Sequence, residues 1–566
     1  MKRGPSRLAL AAAVALALPC LLVPLRNPDL YWHLSAAREM ASARAAPTTD
    51  FLSSTKSGSG WLDFEWLSQL VYYGVWRGGG CRGLVALRVA VLGSALAADA
   101  AVASLAGLGL GGAALCAAAF AAAVFPYSDL RPDNFSLLFF TATLYALESL
   151  RRGRWRAGPR LYAGAAAFYA LWANLHLGLV FGLVLIVIYA AGSALDARRA
   201  AGARTPPRAY LLLAAAGALG SLANPYSWRL YSVISAHAAF MRTLASTICE
   251  WRPPDLGAYW LWPYSVLLIG SLALALWHFL VEKKASLCPL FAVCYFGVAS
   301  AFSQRHLTYF CALAAPAAVA MACELGARRR RTLALAGAAA FLAVAGYVWR
   351  VVGPMLSRDV CGEAPRALAD FLEANAGALA GKGLYNTWED GGYLGFRLYP
   401  RYRVFYDGRY IFHQYLEEVL DAARAPEAWR AFCAKYGLEV LSMRRSRLHS
   451  KDELLTLDDG RRFMVRRPYY ETYLPAKEWA LVFWDDTRFV AVRRRSVEAD
   501  WLKAHEYRYL LPDDPGRRLT LEGQARPPLA ALRAELERHR AETAASAETA
   551  ELDSWLRELE ARPRPS

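Results

Sequence analysis

Apolar residues along this chain come in blocks rather than in alternation. A short basic start carrying Lys2, Arg3 and Arg7 leads into a block at 8–25, and further blocks follow at about 82–106, 110–126, 133–150, 160–173, 177–194, 208–222, 261–281, 286–302, 306–325 and 331–352. Several are shorter than the ~20 residues a perpendicular helix needs to cross a bilayer, and together they predict about eleven membrane spans. No clear small-residue cleavage site follows the first block, which favours a retained helix over a signal peptide; either choice leaves Asn27 outside. Beyond Gly353 the pattern becomes mixed. It predicts a helix at 364–376, a strand at GLYN, a strand at 403–407, helices between Tyr415 and Tyr436, and strands at LEVLSM, WALVFW and RFVAVRR. Helices alternating with buried strands make this a small α/β domain. The segments LAALRAELERHRAE and ELDSWLRELEA are amphipathic at helical spacing and predict a hairpin packed on that domain.

The connectors divide by charge. Arg151, Arg152, Arg154, Arg156 and Arg160, then Arg198, Arg199, Arg204 and Arg208, then Lys283 and Lys284, then the arginines at 328–331 all fall on the side of the N-terminus. Basic connectors mark the cytoplasmic face, so the opposite face receives 127–134, 172–176, 303–306 and everything after Gly353. The expected organisation is a polytopic α-helical membrane bundle at 1–352 with outer loops at 26–81 and 223–260, an extracytoplasmic α/β domain at 353–510, and a charged helical tail at 511–566. The expected location is a bacterial inner (plasma) membrane with a cytoplasmic N-terminus.

Composition agrees with this division. At 566 residues and 56% hydrophobic, with a mean hydropathy of +0.19, the chain is too apolar for a soluble enzyme and too charged near its C-terminus to be all membrane. The net charge of +17 is spent on clusters beside apolar blocks. It therefore reads as membrane orientation, and no nucleic-acid partner is expected. The ten Cys contain no CxxC and no Cys/His ligand spacing. Cys361 and Cys433 both fall in the predicted outer domain, where a disulfide between them is allowed.

Candidate chemistry starts in the first outer loop. NPDLYWHLSAAREM, then PTTDFLSSTKSGSGWLDFEWL, gathers Asp29, His33, Asp50, Asp63 and Glu65 with Tyr31, Trp32, Trp61 and Trp66 at one water-facing border. An outer-face enzyme has no nucleotide supply, so a glycosyl transfer there draws on a lipid-phosphate-linked sugar. Such a site needs a carboxylate base for the acceptor, positive charge or a metal on the leaving phosphate, and flat rings for the sugar. Asp29 lies just past a span and is the foremost base. Asp129 and Asp133 begin another helix, and capping competes as a role for Asp133, one residue past Pro132. Glu250 lies in TICEWRPPD. Arg131, Arg252 and Arg305 offer forked donors to phosphate, with headgroup anchoring as their ordinary alternative. Arg88 and Asp99 share a helical face about three turns apart, too far to pair. His33 and His306 are weaker candidates. In YNTWEDGGYLGFRLYPRYRVFYDGR, Gly391 and Gly392 predict a tight turn presenting Trp388, Glu389 and Asp390.

Taken in order, NPDLYWH after the first block, PTTDF, RPDNFS, WANLH, NPY, EW and NTWEDGGYL with VFYDGR resemble bacterial membrane proteins of the GT-C glycosyltransferase superfamily over most of residues 8–495. The resemblance implies a sugar donor of the polyprenyl-phosphate type used on the outer face, and puts the family's first-loop carboxylate at Asp29. The chain is also similar, more distantly, to the catalytic subunit of oligosaccharyltransferase. That similarity implies that Asp29, Asp133 and Glu250, the last within Thr247-Ile248-Cys249-Glu250, surround a divalent metal, Mg or Mn, with no other cofactor. It also implies that Trp388 and Asp390 contact the acceptor. Thr387-Trp388-Glu389-Asp390 stands here in place of two adjacent Trp and an Asp.

The expected function is transfer of a sugar from a polyprenyl-phosphate-linked donor to an envelope glycan, lipid or protein. Asp29, Asp133 and Glu250 are catalytic, Arg131 and Arg305 bind the donor phosphate, and Trp32, His33, Trp66, Trp388 and Asp390 bind sugar or acceptor. The alternatives are an oligosaccharyltransferase-like protein glycosylation enzyme, a lipid-linked glycan transporter relying on Arg88 and Asp99, and a non-catalytic assembly protein that kept the fold.

Overall fold

The computed structural model describes residues 17–107, 110–199, 205–282, 286–324, 342–445, 449–457, 460–524 and 526–562. The first half of the first apolar block, Arg204, Lys283, Lys284, the arginines at 328–331 and the first half of the last block lie outside the described residues. The chain divides into two compact units, Met1–Thr48 with Leu62–Glu363, and Thr49–Trp61 with Ala364–Ser566.

The first unit is helical. Its main helices are Leu30–Ala43, Trp66–Leu105, Leu110–Val124, Asp133–Arg151, Pro159–Leu175, Leu179–Arg198, Pro207–Ser221, Trp262–Trp277, Leu287–Phe302 and Leu307–Glu324. Each apolar block among the described residues thus becomes a helix, because an unbroken apolar run can bury its backbone polar groups only by bonding them within the segment. Among the described residues, three helices, Trp66–Leu105, Leu179–Arg198 and Trp262–Val281, are long and apolar enough to cross a membrane, while Cys116–Tyr127, Leu287–Phe302 and Leu342–Met355 are apolar but shorter. The loop expected as far as residue 81 holds the helix Leu30–Ala43 and ends early. Tyr72 and the aromatic pair Tyr73–Trp76 carry the next helix back to Trp66, with a break at Gly80.

Arg88 does not sit idle in the bundle. Fully buried, it donates through Nε and Nη2 to the carbonyl of Leu21, through Nη2 to that of Val23, and through Nη1 to Asp129 at 3.2 Å. Asp129 also takes the backbone N–H of Arg26 at 2.7 Å and of Leu130. One buried guanidinium thereby fastens the end of the first apolar block to the 127–134 connector. Aromatic packing of Phe139, Phe168, Tyr169 and Trp172 fills the middle of the unit. A disulfide joins Cys81 to Cys361, and Cys433 is a buried free thiol, so the pairing open in the sequence between Cys361 and Cys433 does not form.

The second unit holds a four-stranded sheet in the order β1-β2-β6-β5, with β1 Gly383–Tyr385, β2 Leu438–Arg444, β5 Trp479–Trp484 and β6 Arg488–Arg493. β1 pairs parallel with β2 and the other pairs are antiparallel. A separate hairpin of β3 His449–Thr456 and β4 Arg462–Pro468 was not anticipated, its apolar residues being sparse among charges. Residues 403–407 are not a strand. Their backbone bonds go to the Asn386 side chain and to Leu52 and Ser54, leaving one bridge, Ser53 to Val404. The tail forms the helices Leu529–Glu542 and Ala547–Ala561, tied by Arg533–Glu560 and Arg540–Asp553.

The residues Thr49–Trp61 fold with this second unit, so the single border expected in the first loop is divided. Arg409 is buried against Asp50 and Asp407, both at 2.7 Å, with Trp61 and Phe412 at 4.6 and 5.1 Å from the guanidinium carbon. NTWEDGG is not a tight turn: Trp388 to Gly392 open the helix Trp388–Leu398, and Thr387 precedes it in extended backbone. Gly391 serves close approach there: a side-chain carbon would collide with the carbonyl of Tyr406.

Candidate functional site

Within the first unit, loops and helix ends bring titratable groups to one place. Glu65 precedes the helix Trp66–Leu105, Asp133 opens Asp133–Arg151, His176 closes Pro159–Leu175, and Arg305 lies between Leu287–Phe302 and Leu307–Glu324. His176 links two of them, with Nε2 3.7 Å from Glu65 and Nδ1 3.6 Å from Asp133. His33 Nδ1 stands 4.0 Å from the other Glu65 oxygen, its ring against Trp32 at 3.7 Å between centroids. The Tyr309 hydroxyl donates to Asp133.

The protonation of His176 follows from its partners. The backbone N–H of Gly178 donates to Nδ1 at 3.0 Å, so Nδ1 is the acceptor and the ring proton sits on Nε2, facing Glu65. Ser136 Oγ lies 2.8 Å from Nδ1 and accepts from the Trp172 indole at 2.7 Å. Burial pushes His176 down to about 4, so it is neutral at pH 7. The same burial, reinforced by Asp63, Asp29 and Asp133, drives Glu65 well above the usual carboxyl range. Burial and the neighbouring acids thus bias Glu65 toward its protonated form.

A second group closes the site. Glu250, in the half-turn Cys249–Trp251, pairs with Arg131. Burial opposes its charge, but Arg131 and Arg305 outweigh it and hold the carboxyl below its ordinary range. Arg131 feels Asp29 as well as Glu250. Arg305 lies 4.6 Å from the centre of the Trp251 ring, which stacks on His237 at 5.6 Å. Asp29 itself is half-buried at the start of Leu30–Ala43, its N–H held by the Asn27 side chain at 3.2 Å.

Of the residues singled out from sequence, Asp29, His33, Asp133, Arg131, Glu250 and Arg305 thus share one neighbourhood around Glu65. Trp32 is buried against His33, and Trp66 donates to Asn174 at 2.9 Å. Arg252 is spent on the carbonyls of Ala245 and Ser246. Trp388 and Asp390 belong to the second unit. There Asp390 is buried, bonded by Arg488 through Nε at 2.9 Å and Nη2 at 2.7 Å, and by the Thr387 hydroxyl at 2.8 Å. Trp388 is half-buried, edge-on to Tyr406. Tyr309 was missed altogether, its apolar run concealing it, and Glu65 and His176 were quoted without a role. Their position at the same ends of apolar blocks as Asp133 was the available signal.

Among the described residues no three His, Cys, Asp or Glu side chains form a group that could hold a metal ion. Glu250 pairs with Arg131, and Asp133 accepts from Tyr309.

No protein-family model and no curated protein matches the sequence. Among solved structures, the fold matches the apo oligosaccharyltransferase of Archaeoglobus fulgidus at a TM-score of 0.56 and 11% identity, over 96% of this chain and 85% of that one. The same enzyme tethered to an acceptor peptide containing the NVT sequon matches at 0.55 and 11%, over 88% and 80%. ArnT from Cupriavidus metallidurans, bound to undecaprenyl phosphate, gives 0.48 and 15%, over 87% and 98%. The resemblance to GT-C enzymes read in the motifs is thus borne out at the level of the fold.

Proposed function

We propose that this chain is an integral-membrane glycosyltransferase that moves a sugar from a polyprenyl-phosphate-linked donor to a glycan, lipid or protein of the cell envelope, on the outer face of a bacterial inner membrane. The observation that carries it is the gathering of Asp29, Asp133 and the buried Glu65 beside Arg131 and Arg305 at the helix ends. A shared fold extending over nearly the whole chain supports the reaction class. The Cys81–Cys361 disulfide supports placing that end outside the cytoplasm.

In the proposed step, Asp29 accepts the proton of the acceptor hydroxyl as that oxygen bonds to the anomeric carbon. The bond from the anomeric carbon to the phosphate oxygen breaks, and its electron pair leaves on the lipid phosphate. Arg131 and Arg305 face that developing charge. Glu250 positions Arg131 through their ion pair, and Trp251 lies beneath Arg305. Glu65 donates its proton as a hydrogen bond to the sugar, oriented by His176. Within the second unit, Asp390 holds the helix Trp388–Leu398 to β6 through Arg488. No step is routed through a metal.

Purified protein in proteoliposomes, supplied with a radiolabelled polyprenyl-phosphate donor pool, tests this. Asp29→Asn is expected to reduce transfer by about 10²-fold or more. Undiminished transfer by Asp29→Asn, or none by folded wild type from any donor, would overturn the reading. The oligosaccharyltransferase fold favours one second reading, protein as the acceptor. Transfer to an Asn-X-Thr peptide rather than to glycan or lipid would select it. The transporter reading loses support because Arg88 is committed to Leu21, Val23 and Asp129.

A further inference from the structure

At the other end of the helical unit, two guanidinium groups converge on one carboxylate. Glu148 accepts from Arg151 Nε at 2.8 Å and Nη2 at 2.6 Å, from Arg152 Nε at 2.9 Å, and from the Tyr189 hydroxyl at 2.9 Å. All four line a cavity of about 110 Å³ whose apolar wall includes Leu144 and Leu313. Among the described residues the charged groups on the wall are Glu148, Arg151 and Arg152, which together carry one net positive charge. The neighbouring acid, Asp196, is occupied by the Ser286 hydroxyl at 2.8 Å and the Leu287 N–H at 3.0 Å, where it caps the helix Leu287–Phe302.

The cavity is not part of the candidate catalytic site. Asp133 is the first residue of a 19-residue helix and Arg151 is the last. At 1.5 Å per residue the two ends stand about 28 Å apart, close to the hydrocarbon thickness of a bilayer. The basic connectors Arg151–Arg152 and Arg198–Arg199 mark this as the cytoplasmic side.

We propose that this cavity seats the phosphate of an anionic phospholipid headgroup from the cytoplasmic leaflet, its acyl chain lying on the apolar wall. The two guanidinium charges of Arg151 and Arg152 suit a phosphodiester, and Glu148, itself bonded by Tyr189, holds both groups in place before the lipid arrives. One surplus charge suits a monoanionic diester. The volume suits a headgroup phosphate and is too small for a nucleotide, which needs roughly 300 Å³ or more. Basic pockets between membrane helices on the cytoplasmic side take such headgroups. The assignment rests on the chain spanning a bilayer and not on the transfer reaction.

The test is thermal unfolding of the purified full-length protein in detergent, titrated with dioleoyl phosphatidylglycerol, with dioleoyl phosphatidylcholine, or with inorganic phosphate. Phosphatidylglycerol is expected to raise Tm saturably, phosphatidylcholine and phosphate not. Arg152→Gln is expected to weaken the midpoint about tenfold, as loss of a charge-assisted bond does, and Arg152→Lys to recover most of it. Ala317→Trp fills the cavity without touching a charge and is expected to abolish the response. Equal shifts from both lipids, or an unchanged midpoint in both Arg152→Gln and Ala317→Trp, would overturn the proposal. A shift reproduced by phosphate alone would overturn the lipid as its source.

Discussion

Burial biases both Glu65 and His176 toward the neutral form, with Asp63, Asp29 and Asp133 adding to the shift of Glu65, and that makes the site's pH response readable. Because the folded pKa of Glu65 is raised, its proton stabilises the fold at pH below the unfolded value of about 4.5, and that contribution is lost as pH rises through the folded value. If the proton serves the sugar, transfer falls along an alkaline limb. Glu65→Gln, which keeps a donor that cannot ionise, is expected to retain activity and flatten that limb; an unchanged pH profile would remove Glu65 from the mechanism. His176 runs the other way. With its folded value near 4 against 6.5 unfolded, stability declines as pH falls from about 6.5 to 4. In His-labelled protein its resonance is expected to titrate near 4, and a midpoint above 6 would mean that the ring is solvated. Neither residue was assigned a role from sequence, since what distinguishes them is a partner on another helix, whereas Asp29 stood out beside Tyr31, Trp32 and His33.

The helices show why Asp129 and Asp133 could not be told apart in the sequence. Four residues separate them at one helix start, yet Asp129 is bound by Arg88, from 41 positions earlier, and Asp133 by Tyr309, from 176 later. Removing one partner of a buried pair leaves an uncompensated charge, so Asp129→Ala is expected to destabilise the protein by about 3–5 kcal/mol, whereas Asp133→Ala lowers activity with a far smaller stability loss. Denaturation of both variants beside their transfer rates separates the roles; equal stability losses would refute the distinction. Block periodicity was enough to locate the helices, because unbroken apolar runs have one local solution. It failed in the second unit, where Val404 and Phe405 look like a strand by composition but their backbone groups are claimed by Asn386 and by the segment at 52–54. Gly391 likewise looked like a turn residue, when what it supplies is room for the carbonyl of Tyr406.

At the scale of the whole chain, the segment Thr49–Trp61 joins the two units by covalent continuity, folding with residues 364–566 while Asp29 precedes it and Glu65 follows it in the other unit. Sequence adjacency suggested one loop, and only the distant Arg409, closing on Asp50 and Asp407 between Trp61 and Phe412, reveals two. The C-terminal unit thus holds the middle of the loop that carries Asp29 and Glu65 at its two ends. A chain ending at residue 363 keeps Asp29, Glu65, Asp133, Glu250 and Arg305 but strands Asp50 without its guanidinium and Trp61 without its cation partner. It is expected to insert in membranes and to lose transfer entirely. Co-expressed residues 364–566 are expected to restore part of the activity, because the segment can then dock, and Arg409→Met in that fragment is expected to cancel the rescue. Full activity of the truncated chain alone would show that the loop holds its geometry unaided, and the second unit would then act only on the acceptor.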